Sequence, residues 1–196
     1  MNRKTCVLLV VAIILLLICI PLFSMGCGGD SEEKPADTKQ EEKEKDQVEE
    51  DETAEGGTVL LIIGPMDFQD QEYTLTRKVL ADAGYEVEVA SATLDTAVGA
   101  DGTQVQPDIA LQDVDVDDYV AVAFIGGGGC TVYYDDPDAL AIAQEAYDKG
   151  MTVGAICLAP GILANAGILQ GKEATVDPGA IDLVEQGGAT FVDQDV

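Results

Sequence analysis

Three runs in this chain, residues 58–63 (TVLLII), 119–125 (YVAVAFI) and 151–156 (MTVGAI), are apolar or small at nearly every position instead of at every second one. A strand with that pattern has to be covered on both faces, as in a parallel sheet flanked by helices. The segments between the runs supply the helices. Residues 72–83 have helical spacing, with Leu75, Val79 and Leu80 expected on the apolar face and Gly84 as the C-cap. Asp136-Pro137-Asp138 opens a second helix that runs through Asp148 and stops at Gly150, with Pro137 at the favoured first helical position. Residues 85–90 (YEVEVA) read as another strand and 91–118 as irregular chain with room for a small hairpin. Beyond the third run, 159–165 reads as a short helix, 173–176 as a strand, 179–186 as a helix and 189–192 as a last strand. The fold class that follows is α/β, a mostly parallel sheet between two layers of helices.

Residues 57–196 suffice for that sheet and have a normal size for one domain. Ahead of them, Arg3 and Lys4 precede an apolar run at residues 6–20 that ends at Pro21. The run is shorter than the ~20 residues of a membrane span and fits the core of a signal peptide. Ser24-Met25-Gly26-Cys27 then resembles a bacterial lipobox, which makes residues 1–26 a signal peptide and Cys27 the lipidation site. An uncleaved single-span anchor is the alternative. Either reading tethers the domain to a membrane, outside the cytoplasm. Residues 27–56 have no aromatic residue and are dominated by Glu, Asp and Lys, so they cannot bury enough apolar area to offset ordering; they read as an acidic disordered linker.

The chain carries 10 Lys and Arg against 37 Asp and Glu, a net charge of −27. Within residues 57–196 the cations are Arg77, Lys78, Lys149 and Lys172 alone. Such a surface repels nucleic acid and anionic headgroups, so nucleic acid is not an expected partner. It suits either a high-salt habitat, where counterions screen self-repulsion, or an acidic bacterial surface. The chain has no histidine. That excludes a Ser-His-Asp triad, a Cys-His dyad and His-bearing zinc sites. The five cysteines match no zinc-ribbon or disulfide framework. Neither a metal nor a cofactor is expected.

In open α/β sheets a site forms at the carboxyl ends of the strands. Residues 64–72, 126–134 and 157–161 meet there by this reading. Cys157 stands between a buried strand and a helix start, where backbone N–H groups and the helix dipole are expected to lower a thiol pKa. The amide of Leu158 can face an oxyanion, as in a nucleophile elbow. The competing reading of Cys157 is an inert buried thiol. Gly126, Gly127, Gly128 and Gly129 permit close backbone approach and an anion nest, or else only a tight strand-to-helix crossover. They lack the Lys-Ser/Thr ending of a phosphate-binding P-loop. Glu72 is either an ordinary first-turn acid or a carboxylate aimed at the site. Tyr133 and Tyr134 are packing residues or substrate contacts, and Gly126, Gly128, Cys130 and Tyr133 are the candidate pocket lining. In an oxidising compartment Cys130 and Cys157 could pair, given Cα atoms within ~7 Å.

The segments TVLLIIGPMDFQDQE, EVEVAS, AVAFIGGGG, YYDDPDALAIAQEAYDKG and VGAICLAPGILANAGILQGKEAT follow one another over residues 58–193. In that order they resemble the ThiJ/PfpI family, which includes the PfpI proteases and the Parkinsonism-associated deglycases. The resemblance implies a flavodoxin-like three-layer sandwich, usually a homodimer with active sites near the dimer interface. It implies that Cys157 is a nucleophilic, oxidation-sensitive cysteine, that Glu72 contacts its thiol, and that the amides of Gly127 and Leu158 form an oxyanion hole. The chain departs from the family pattern in three ways. Leu158 stands where protease-like members carry His, and Asp177, before Pro178, stands where deglycase-like members often do. The pattern normally continues with another strand and a C-terminal helix beyond the position of Val196, so a fold without that last strand and helix, or a truncated sequence, is one expectation.

Peptidase activity is therefore not expected. Three functions compete: a glyoxalase- or deglycase-like cysteine hydrolase acting on small carbonyl compounds, a redox-sensing module, and a non-catalytic ligand-binding envelope domain.

Overall fold

A computed structural model of the chain describes residues 56–194. The signal peptide, the linker and Cys27 lie outside the described residues. The three apolar runs form β1 (Thr58–Ile62), β7 (Ala121–Phe124) and β8 (Thr152–Ala155), and β3 (Glu86–Ser91) and β6 (Ile109–Ala110) join them. The strand order is β6-β3-β1-β7-β8, and all four pairings are parallel. This is the mostly parallel α/β sheet expected from the runs, in the flavodoxin-like arrangement that the family resemblance implied.

Consecutive side chains of β1 serve opposite layers, which is why the run is apolar throughout. Leu60 and Ile62 pack with Ile142, Ala143 and Ala146 of α2 (Pro137–Asp148) and Ile162 of α3 (Pro160–Asn165). Leu61, and Ile63 just after the strand, pack with Phe68 of β2 (Met66–Phe68) and Tyr73 of α1 (Asp70–Asp82). Both ends of α2 match the sequence. The Asp136 carboxylate accepts from the Asp138 and Ala139 amides, and Pro137 opens the first turn.

The irregular stretch after β3 contains the hairpin the sequence allowed for. Strands β4 (Ala97–Gly99) and β5 (Gln104–Val105) pair antiparallel, and β2 runs parallel to β4. The last strands, β9 (Glu173–Ala174) and β10 (Thr190–Phe191), pair only with each other, beside α4 (Ile181–Gln186). Residues 178–180, expected as the start of that helix, form a 3-10 turn.

The apolar face expected of α1 is corrected. Leu75 and Val79 are 60% and 64% exposed, whereas Asp70 and Tyr73 are buried. The helix turns the stripe of Tyr73, Thr76 and Leu80 inward, because the Tyr73 ring packs edge-on against Phe68 at 5.5 Å.

Candidate active site

The glycine-rich segment after β7 and the turn after β8 leave neighbouring parallel strands at the same end of the sheet. Cys157 occupies that turn with φ of +60°, a conformation L-residues seldom hold. The surrounding chain fixes it there. The Ile156 amide donates to the Phe124 carbonyl at 3.3 Å, the Ala159 amide to the Ile156 carbonyl at 3.0 Å, and the Asp177 amide to the Cys157 carbonyl at 2.9 Å. That last carbonyl shares a peptide unit with the Leu158 N–H. Tyr134 holds the next carbonyl, its hydroxyl donating to Leu158 O at 2.9 Å.

Glu72 reaches the same point from the first turn of α1. Gln69 caps that helix, its side-chain oxygen accepting from the Gln71 and Glu72 amides. The Gly126 amide donates to Glu72 Oε2 at 3.0 Å. Position 126 tolerates no side chain: a β-carbon there would lie 2.5 Å from Cys157 Cβ and 2.8 Å from Glu72 Oε2. Gly127 has φ of +93°, and a β-carbon on it would meet the Asp67 carbonyl and Gln69 amide at 2.5 Å. The glycines thus bring backbone amides against the thiol and carboxyl.

The ionisation of the site differs from the sequence expectation in one respect. Burial raises the Cys157 pKa above its ordinary value, against the opposing pull of the Gly127 and Leu158 N–H groups that point at the sulfur; the charges of Glu72 and Asp177 raise it further. The elbow amides are present as expected, but α3 is short and its N-cap is Ala159, two residues on, so the dipole does not offset desolvation. Burial also raises the Glu72 pKa, opposed by hydrogen bonding from Gly126 and the Cys157 thiol and assisted by the Asp177 charge. The pair is a thiol beside a carboxyl that holds its proton more tightly than an exposed glutamate.

The other sequence candidates divide. Cys157, Glu72, Gly126, Gly127 and Leu158 converge, and Gly128 follows as the next residue of the shelf. Cys130 is fully buried beneath them, its pKa pushed up to about 12 chiefly by burial, and both Cys130 and Cys157 are free thiols. Tyr133 is 1% exposed, and its hydroxyl is engaged with backbone, donating to Ile63 O at 2.8 Å and accepting from the Ala92 amide at 3.0 Å. It packs the floor and presents no polar group to a ligand. Reasoning from sequence missed Tyr134 and Asp177 as clamps on the elbow. Nothing local marks the Tyr134 contact, and Asp177-Pro178 stood out only by its place in the family pattern. Among the described residues no group of three or more acids and cysteines is placed to hold a metal ion.

Comparisons with known proteins point to one family. The model of the DJ-1/PfpI family matches residues 57–196. An uncharacterized protein of Methanocaldococcus jannaschii is 38% identical over 148 residues, 74% of this chain and 72% of that one. A deglycase of Thermococcus kodakarensis is 31% identical over 137 residues, 70% of this chain and 82% of its own length. The crystal structure of a ThiJ/PfpI domain protein from Brachyspira murdochii superposes with a TM-score of 0.69 at 31% identity, over 71% of this chain and 80% of that one.

Proposed function

Since this chain belongs to the DJ-1/PfpI family, we propose that it is a cysteine-dependent hydrolase of the deglycase type, acting on small carbonyl compounds or their adducts. The observation that carries this reading is the convergence of one thiol, one carboxyl and the two Gly127 and Leu158 amides, which point at the sulfur, on the same point. Burial keeps Cys157 protonated near neutrality, so it needs a base within reach, and Glu72 is that base. The thiol proton passes to Glu72 as Sγ attacks the carbonyl carbon. The displaced electron pair settles on oxygen, facing the Gly127 and Leu158 amides. Glu72 returns the proton to that oxygen, giving a hemithioacetal; with methylglyoxal it next carries the C1 proton to C2, which leaves a thioester on Cys157, and water cleaves the C–S bond to release the hydroxy acid and restore the thiol. With no histidine in the chain, one carboxyl performs both transfers. The raised thiol pKa speaks against a redox sensor, which works best with an exposed thiolate. Replacing Cys157 by Ser should reduce methylglyoxal consumption to the background of buffer; turnover equal to the parent protein's would sink the reaction.

The same proposal extends to location: a domain carried on a lipidated Cys27, on the extracytoplasmic side of a membrane. Its support is the basic start, the apolar run at 6–20 and the small residues before Cys27. Cys27→Ala should move the protein from the membrane fraction to an unlipidated precursor of higher mass. An unchanged mass would leave the single-span anchor as the better reading.

A further inference from the structure

Two exposed carboxylates stand at the oxyanion donors, one beside each. Asp67, the middle residue of β2, holds φ of +59°, its carbonyl packed on Gly127. Its Oδ2 lies 2.9 Å from where a β-carbon of Gly128 would be, which puts the charge over the glycine shelf. Asp177 is tied to the opposite donor. Its amide holds the Cys157 carbonyl at 2.9 Å, and its carboxylate is fixed by the Gly179 amide at 2.8 Å, beside the Leu158 side chain. Its charge acts on both Cys157 and Glu72.

Among the described residues no cation answers them. Lys78 is paired with Asp82, Lys149 with Asp117 and Glu145, and Lys172 lies over the Tyr147 ring. Arg77 acts on Tyr73, and none of the four acts on the thiol or on Glu72. In the partly desolvated mouth of a pocket, fixed charges of one sign select the charge of what enters.

We propose that the half-buried thiol site at Cys157 favours carbonyl compounds bearing a positive charge and rejects those bearing carboxylate or phosphate, with Asp177 as the residue that sets this preference and Asp67, over the glycine shelf, as a lesser contributor. The inference rests on the thiol site of the proposed function and names its substrate class. It can be tested without turnover, by timing modification of Cys157 in the full-length protein with the trimethylammonioethyl and sulfonatoethyl methanethiosulfonates. In both reactions Sγ attacks the reagent's sulfenyl sulfur, a disulfide forms, methanesulfinate leaves, and the thiol proton passes to solvent. Mass spectrometry of the Cys157 peptide reads the rate. Anything that alters thiol ionisation cancels in the ratio of the two rates.

At low salt the cationic-to-anionic ratio should exceed that of a small free thiol by about threefold or more, the effect of a fixed negative charge beside the sulfur in a mostly aqueous setting. High salt should shrink it. Asp177→Asn, which keeps shape and cap, should lower the ratio by about threefold, and Asp67→Asn should lower it by less. Glu86→Gln, at the amino ends of the strands, should leave it unchanged. A ratio equal to the free thiol's, or one lowered equally by Glu86→Gln, overturns the proposal. Absence of methylglyoxal turnover would count against the proposed reaction instead, because the ratio stays readable in a protein that turns nothing over.

Discussion

Asp70 and Glu72 are both acids in the first turn of α1, and the helix sends them to two different regions with opposite results. Asp70 points at the β4–β5 hairpin, where its two oxygens accept the Asp101 amide at 2.8 Å and the Thr103 amide at 2.9 Å. Those bonds, Asp101's first, hold its pKa below the ordinary value. Glu72 points at the elbow, meets one amide and a thiol, and burial pushes its pKa up. Residues two apart do not share a helix face, so a single turn can be a staple on one side and a proton carrier on the other. Hydrogen-bond saturation stabilises the charged form at Asp70, and its shortage at Glu72 leaves a base worth using.

The largest test of this contrast is Glu72→Gln. Loss of the proton carrier should cost roughly 10²- to 10⁴-fold in kcat, while the melting temperature holds or rises because a poorly solvated charge is gone. In the parent protein the acid limb of kcat/KM should lie above the ordinary glutamate range, since the free carboxylate is the active form and its pKa is raised. Its contribution to stability should run the other way. The folded state binds that proton more tightly than the unfolded chain, so stability is lost as pH climbs from the ordinary value through the folded one. A pH–rate profile flat down to the ordinary carboxylate range would break the comparison.

A smaller effect, on stability, should come from Asp70→Ala. Two hairpin amides lose a charged acceptor, and the melting temperature should fall by several degrees with kcat nearly intact. Here the folded pKa is depressed. The stabilisation is complete above the unfolded value and disappears as pH falls through the folded one, so parent and variant should converge in acid. Equal melting temperatures at neutral pH would show that the hairpin does not need its staple.

Much of this was legible in the chain itself. The unbroken runs declared β1, β7 and β8, because covering both faces of a strand leaves no polar positions, and Asp136-Pro137 declared the start of α2. Cys157 was found by its place at a strand end. The buried face of α1 was not legible, since Tyr73-Thr76-Leu80 and Leu75-Val79 both satisfy helical spacing and only the tertiary partner Phe68 chooses between them. The role of Asp70 was hidden for a similar reason. Locally it is one more first-turn acid, and its partners lie some thirty residues away. The direction of the Cys157 shift also depends on residues far along the sequence, Glu72 and Asp177, and on burial that no local pattern reports.

The stitching around the elbow has a mechanical consequence. The Gly127 and Leu158 amides, proposed as the oxyanion donors, belong to loops of neighbouring strands, and the Tyr134 hydroxyl joins one loop to the other while the Asn165 side chain grips the Tyr134 carbonyl at 2.8 Å. Asp177 secures the same turn from a third segment. Such a cradle has no hinge of its own between the donors, so they keep their spacing through thermal motion and loosen only when all three segments let go together. It trades adaptability for constancy, since moving one of these amides means breaking bonds that run to other segments.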